Sequence, residues 1–114
     1  MVTVNRFRKI ALNFPEAVEL PHFEKTSFRV NKKIFATLDV LAGTATVKLD
    51  ENNQDLFARY HGNCVTPVPN KWGKQGWTII NLEWITEEML MDILQIVFCE
   101  VAPKRLQNGI VRLK

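Results

Sequence analysis

Phe7, Ile10, Ala11 and Phe14 recur at the spacing of one helical face, with Arg6, Lys9 and Asn13 turned away from it. This predicts an amphipathic helix from Thr3, ended by Pro15, because the residue before a proline disfavours the α region. The stretch "PEAVELPHFEK" has neither period and is expected to be an irregular connection held by Val18, Leu20 and Phe23. A period of two follows. Phe28 and Val30 alternate with Ser27 and Arg29, and Ile34, Ala36 and Leu38 alternate with Lys33, Phe35 and Thr37. With Asn31-Lys32 as a two-residue turn, this reads as a hairpin. Ala45, Val47 and Leu49 give a third strand after a turn at Gly43.

Asp50 and Glu51 suit the start of a second helix, with Leu56, Phe57 and Tyr60 as its buried face and His61-Gly62 as its stop. "VTPVPNKWGKQG" is expected to be a loop. "WTIINLEW" reads as a fourth strand, central or covered on both sides, since Ile79, Ile80 and Leu82 leave no polar face. Thr86 caps a third helix whose stripe is Met89, Leu90, Ile93, Leu94, Val97 and Phe98; Pro103 breaks it, and a further turn can restart there. The expected fold is therefore α+β, an antiparallel sheet packed against helices in two layers, as a single domain over residues 1–114.

Composition narrows the setting. The apolar share of 46% and charged share of 24% belong to a globular chain, and 114 residues suffice for a core without staples. The opening "MVTVNRFRKI" lacks the features of a signal peptide, and no run reaches the ~18 apolar residues of a membrane span. The expected location is cytoplasmic, without membrane contact. Cys64 and Cys99 have no metal-ligand spacing, and Cys99 is expected in a helical core. The net charge of +3 divides unevenly: residues 1–14 hold three bases and no acid, and residues 101–114 hold four and no acid. The two ends would form one basic patch if they meet.

Catalytic chemistry is scarce. Ser27 is the sole serine and lies in a strand pattern, no phosphate-cradling glycine motif occurs, and Cys64 with His61 has no fixed geometry. The acids Asp50, Glu51 and Asp55, and Glu87, Glu88 and Asp92, are accounted for by helix capping and dipole, so no metal and no cofactor is expected. All three tryptophans fall in "NKWGKQGWTIINLEW". Trp77 and Trp84 flank the strand and are expected at the core or its edge, while Gly73 and Gly76 let the chain turn into it. What remains is a basic and aromatic set: Lys32 and Lys33 at the hairpin tip, Lys71, Trp72 and Lys74 in the loop, and Lys104 and Arg105 after the last helix. Such residues suit phosphate contacts with a stacking or wedging surface, and equally suit solvated turns.

The order of motifs resembles the MmcQ/YjbR family of small bacterial proteins over about residues 5–107. The resemblance rests on "NFPEAVE", "FRVNKKIFATL", "VKLD", "TPVPNKWGKQGWTIINL" with Lys74, Gly76 and Trp77, and a closing "VAPKRL". It implies an α+β fold similar to bacterial frataxin (CyaY-like), and a DNA-binding label that rests on a double-wing structural analogy. It carries no catalytic residues over to this chain. A frataxin-type acidic ridge is not expected, because the first helix is basic (Arg6, Arg8, Lys9). The tail 108–114 lies beyond the match. Three functions are weighed: a non-enzymatic module holding duplex DNA, a protein-interaction or adaptor domain, and an enzyme of unrecognised type. Oligomeric state is left open.

Overall fold

The computed structural model describes residues 1–107. Its elements run in the order α1 (Val4–Leu12), β1 (Val18–His22), β2 (Lys25–Val30), β3 (Lys33–Asp39), β4 (Thr44–Lys48), α2 (Glu51–Tyr60), β5 (Val65–Pro67), α3 (Lys71–Lys74), β6 (Trp77–Asn81), α4 (Glu87–Val101) and α5 (Lys104–Gln107). The strands form one antiparallel sheet in the order β1-β2-β3-β4-β6-β5. The tail 108–114, with Arg112 and Lys114, lies outside the described residues.

Pairing register fixes the two faces. Phe28, Ala36, Leu38, Ala45, Val47, Ile80 and Val65 stand in register on one face and are buried. Helices α1 and α4 lie on it. The Phe7 ring meets Phe28 at 5.5 Å and the Phe98 ring meets Phe35 at 5.3 Å. Thr37, Thr46, Ile79 and Thr66, on the other face, are partly exposed. This is the expected two-layer α+β arrangement. Each long helix is capped as its sequence dictates: Thr3, Asp50 and Thr86 accept hydrogen bonds from the backbone N–H of Arg6, Asn53 and Met89. Among the described residues no helix is long and apolar enough to cross a membrane.

Several expectations are corrected. The segment after Pro15 is not irregular: β1 pairs with β2 along all of Val18–His22 and forms a sheet edge, where Pro21 is tolerated because its missing N–H faces outward. Val18, Leu20 and Phe23 are exposed and hold nothing. Phe35 does not join the polar face. The register skips it between Phe28↔Ala36 and Arg29↔Ile34, and this bulge turns its ring onto Phe14 and Phe98. Leu56 and Tyr60 are exposed, so α2 packs mainly through Phe57. The supposed loop before Trp77 contains β5 and α3, and β6 lies between β4 and β5 with Ile79 half-buried. Trp77 is half-buried as expected at a core edge, but Trp84 is exposed.

Candidate nucleic-acid interface

Three elements carry the basic and aromatic residues. The first is the β2–β3 turn, where Asn31 (φ 50°) and Lys32 (φ 67°) are both left-handed, as a two-residue hairpin turn with the twist of its strands requires. Glycine is the usual second residue of such a turn; here it is a lysine, followed at once by Lys33.

The second is α3, a single helical turn held from below. Val68 N–H donates to Trp77 O (2.9 Å) and Leu49 N–H to Gly76 O (2.9 Å). Gln54 Nε2 donates to Gly73 O (2.8 Å) and to Thr78 Oγ1 (3.1 Å), and Thr78 Oγ1 donates to Gly76 O (2.9 Å). Asn70 enters the turn at φ 80° and ψ −164°, a region nearly reserved for glycine, and its side chain accepts from Trp72 N–H (2.9 Å). Gly73 has no room for a side chain, since a Cβ there would stand 1.9 Å from Val68 O. The result is a fixed step from which Lys71, Trp72 and Lys74 project, with Trp72 50% exposed.

The third is α5. Arg105 donates twice to Glu16, at 2.6 and 3.1 Å, and this pairing holds the Glu16 carboxyl below the usual carboxylate range. Lys104 is exposed beside it.

Register shows that these elements share one end of the sheet. Val30 pairs with Lys33 at the hairpin tip, Lys48 pairs with Trp77, and Pro67 pairs with Thr78, so the β2–β3 turn, the end of β4 and α3 all leave the sheet on the same side. With strands ~4.8 Å apart, β3 and β6 are about 10 Å from each other. The chain around α5 joins the same end in the helical layer, because Glu16 lies two residues before Val18, which pairs with Arg29 next to the tip. Lys48, which the sequence reading passed over, fills the gap; its Nζ stands 5.9 Å from the Trp77 ring centroid. Among the described residues Lys32, Lys33, Lys71, Lys74 and Lys104 carry no ion pair, whereas Arg105 does. Asp50, Glu51 and Glu100 line a hollow of about 420 Å³ with Lys48 and Lys74, so this end also contains acids.

Within the described residues the two chain ends come together. Arg6, Lys9 and Arg105 border a groove of about 780 Å³ between α1, α4 and α5, with Ile10, Phe14, Met91 and Leu106 as its apolar wall. Among the described residues its lining includes Asn13 and Gln95 but no histidine, cysteine or carboxylate. Gln95 Oε1 is buried there without a hydrogen-bond partner among the described residues. Arg6 is engaged by Glu87, whose carboxyl it lowers. Cys64 and Cys99 are both buried, and burial pushes the Cys64 thiol up, away from the nucleophilic thiolate.

Comparisons with known proteins agree with this fold. The family model described as YjbR matches residues 12–96. A crystal structure of Deinococcus radiodurans protein DR2400, with a domain described as DUF419, superposes with a TM-score of 0.78 at 20% identity, covering 96% of this chain and 85% of that one. That identity carries a likeness of fold. No curated protein matches.

Proposed function

This chain belongs to the YjbR family, whose model spans most of its length, and from that premise we propose a non-enzymatic module that holds the phosphate backbone of duplex DNA at one end of its sheet. What supports the reading is the convergence at that end of the hairpin tip, α3 and α5, bringing five lysines free of ion pairs in the described residues. Lys32, Lys33, Lys71, Lys74 and Lys104 supply the charge. Trp72 offers a wedge or stacking face between them, and Arg105 adds a fork that must be shared with Glu16. The double-wing analogy points the same way, though a shared fold alone does not assign a function.

The test is binding of a labelled DNA duplex followed by fluorescence anisotropy across a salt series. Five phosphate contacts give a slope of log K against log salt of about −4.5, a loss of several hundred-fold between about 50 and 200 mM. Replacing Lys71 and Lys74 by glutamine flattens that slope, by about 0.9 for each lysine. Trp72→Ala weakens binding without changing the salt slope. Undetectable binding at about 50 mM salt would end the proposal. A slope that ignores the lysine replacements would move the contact elsewhere.

A further inference from the structure

The end of the sheet opposite the lysines has a different surface. Pro21, Thr26, Leu38, Ala45, Ile80 and Val65 pair in one row across all six strands. Just beyond that row three connections leave the sheet: Phe23-Glu24 between β1 and β2, Val40–Gly43 between β3 and β4, and Leu82–Trp84 after β6. Phe23 is 95% exposed, Leu41 100%, Val40 54% and Trp84 60%. At ~4.8 Å per strand the set spans about 17 Å. Scattered single apolar residues are ordinary on a surface, but large ones gathered on three neighbouring turns mark an interaction site.

The fold gives Phe23 and Leu41 no work. Phe23 sits at φ 57°, a strained setting for a bulky side chain, and its one aromatic neighbour is the adjacent His22 ring at 4.9 Å. The β3–β4 turn is closed without Leu41: Ala42 N–H donates to Asp39 Oδ1 (3.1 Å) and Gly43 N–H to Asp39 O (2.9 Å).

Charge selects the occupant. Glu24, Asp39 and Glu83 stand among the tips against Lys25 and the Met1 ammonium, which the Val2 N–H to Leu82 O bond (2.8 Å) brings to the same end; three acids against two positive groups leave a small acidic excess. Bilayer surfaces facing the cytoplasm are anionic and would be repelled. A symmetric contact with a second copy would set these acids against their own counterparts. We propose that this end docks a protein surface with an apolar centre and a lysine- or arginine-rich rim, with Phe23, Leu41 and Trp84 as anchors. It is independent of the duplex-binding end.

The probe is a labelled amphipathic helical peptide of leucine and lysine, titrated into the full chain, with a leucine–glutamate peptide as its charge-reversed control. The decisive variant combines Phe23→Asn with Leu41→Ser; asparagine tolerates the left-handed backbone, so a melting curve like that of the wild type is expected. Expected results are micromolar binding of the lysine peptide and none of the glutamate peptide. The double variant should weaken binding by roughly 30-fold or more, the scale of a lost hot spot. Lys32→Gln should leave it unchanged. Equal binding of both peptides, no binding of the lysine peptide, or no effect of the double variant overturns the proposal. So does a dimer in sedimentation that the double variant abolishes, which would make the occupant a second copy. Co-sedimentation with anionic vesicles that depends on Phe23 would make it a membrane.

Discussion

Replacing Gly73 by alanine tests whether α3 is held as closely as its geometry indicates. In an open helix the change would stabilise by about 1 kcal/mol, because alanine is the better helix former. At this position the added Cβ would stand 1.9 Å from Val68 O and 3.0 Å from its carbonyl carbon. Carbon–oxygen contacts in proteins lie near 3.3–3.6 Å, so α3 would have to retreat by more than about 1 Å. Both groups are backbone and no rotamer relieves the clash. Retreat stretches the Gln54 Nε2–Gly73 O bond of 2.8 Å and the Gly76 N–Gly73 O bond of 3.0 Å. Each is worth about 1 kcal/mol, and overpacking adds roughly 1–3 kcal/mol. Subtracting the propensity gain leaves a loss of about 2–4 kcal/mol.

Urea unfolding reads this directly, as a midpoint lowered by roughly 1–2 M with the slope m unchanged. Gly43→Ala is the control. It has open space around the added Cβ but φ +69°, so it meets only left-handed strain of about 1–2 kcal/mol. A Gly73→Ala protein as stable as the wild type, or one less perturbed than Gly43→Ala, would refute the close approach of α3 to Val68.

Three further outcomes are expected. Lys32→Gly should raise Tm by a few degrees, since it relieves a left-handed lysine, while reducing the salt slope of duplex binding by about 0.9; a lowered Tm would contradict the strain. Burial, with Glu88 nearby, lifts the Asp92 carboxyl above its ordinary 3.8, so the folded state disfavours its charged form. That penalty is complete at neutral pH, fades as pH falls through the raised folded value, and is gone below the unfolded one. Asp92→Asn should therefore raise Tm at neutral pH and lose that advantage in acid; a gap independent of pH would refute it. Gln95→Leu removes a buried oxygen with no partner and should be neutral or stabilising by up to about 1 kcal/mol in urea unfolding. A clear loss would mean that the amide has a partner.

What the sequence made legible depends on how each element meets its neighbours. Phe28, Val30, Ala36 and Leu38 face a helical layer, so their alternation carries the fold plainly. Phe35 breaks it because a bulge reverses one residue, and a bulge leaves no mark in a period of two. β1 was invisible since an edge strand with Val18 and Leu20 exposed has no buried face to encode. In α2, Leu56 and Tyr60 sit at core spacing, yet the helix packs at the sheet margin through Phe57 and Gln54, so only part of its stripe is covered. α3 is too short for any period; Asn70 and the closeness of Gly73 to Val68 define it. The hairpin lysines could be read from their turn, but Lys48 looks like an ordinary outward strand residue until register brings it to the same end.

Periodicity reports faces, and the surfaces proposed for partners lie at ends. Ends are built from turns, and their signal is backbone strain. Five non-glycine residues have positive φ in the described chain: Glu16, Phe23, Asn31, Lys32 and Asn70. Three have a local reason. Glu16 is held by the two hydrogen bonds from Arg105, Asn70 accepts from Trp72 N–H, and Asn31 is a residue that tolerates the left-handed region. At Lys32 the hairpin turn demands the left-handed backbone, and at neither Lys32 nor Phe23 does anything hold the side chain: the lysine has no ion pair in the described residues, and the phenylalanine is nearly all solvent-exposed. These two lie at opposite ends of the sheet, one in the basic set and one among the apolar tips. A bulky side chain kept where glycine would serve the turn is best explained by what that side chain presents. The explanation fails at either position where glycine neither stabilises the protein nor weakens binding there.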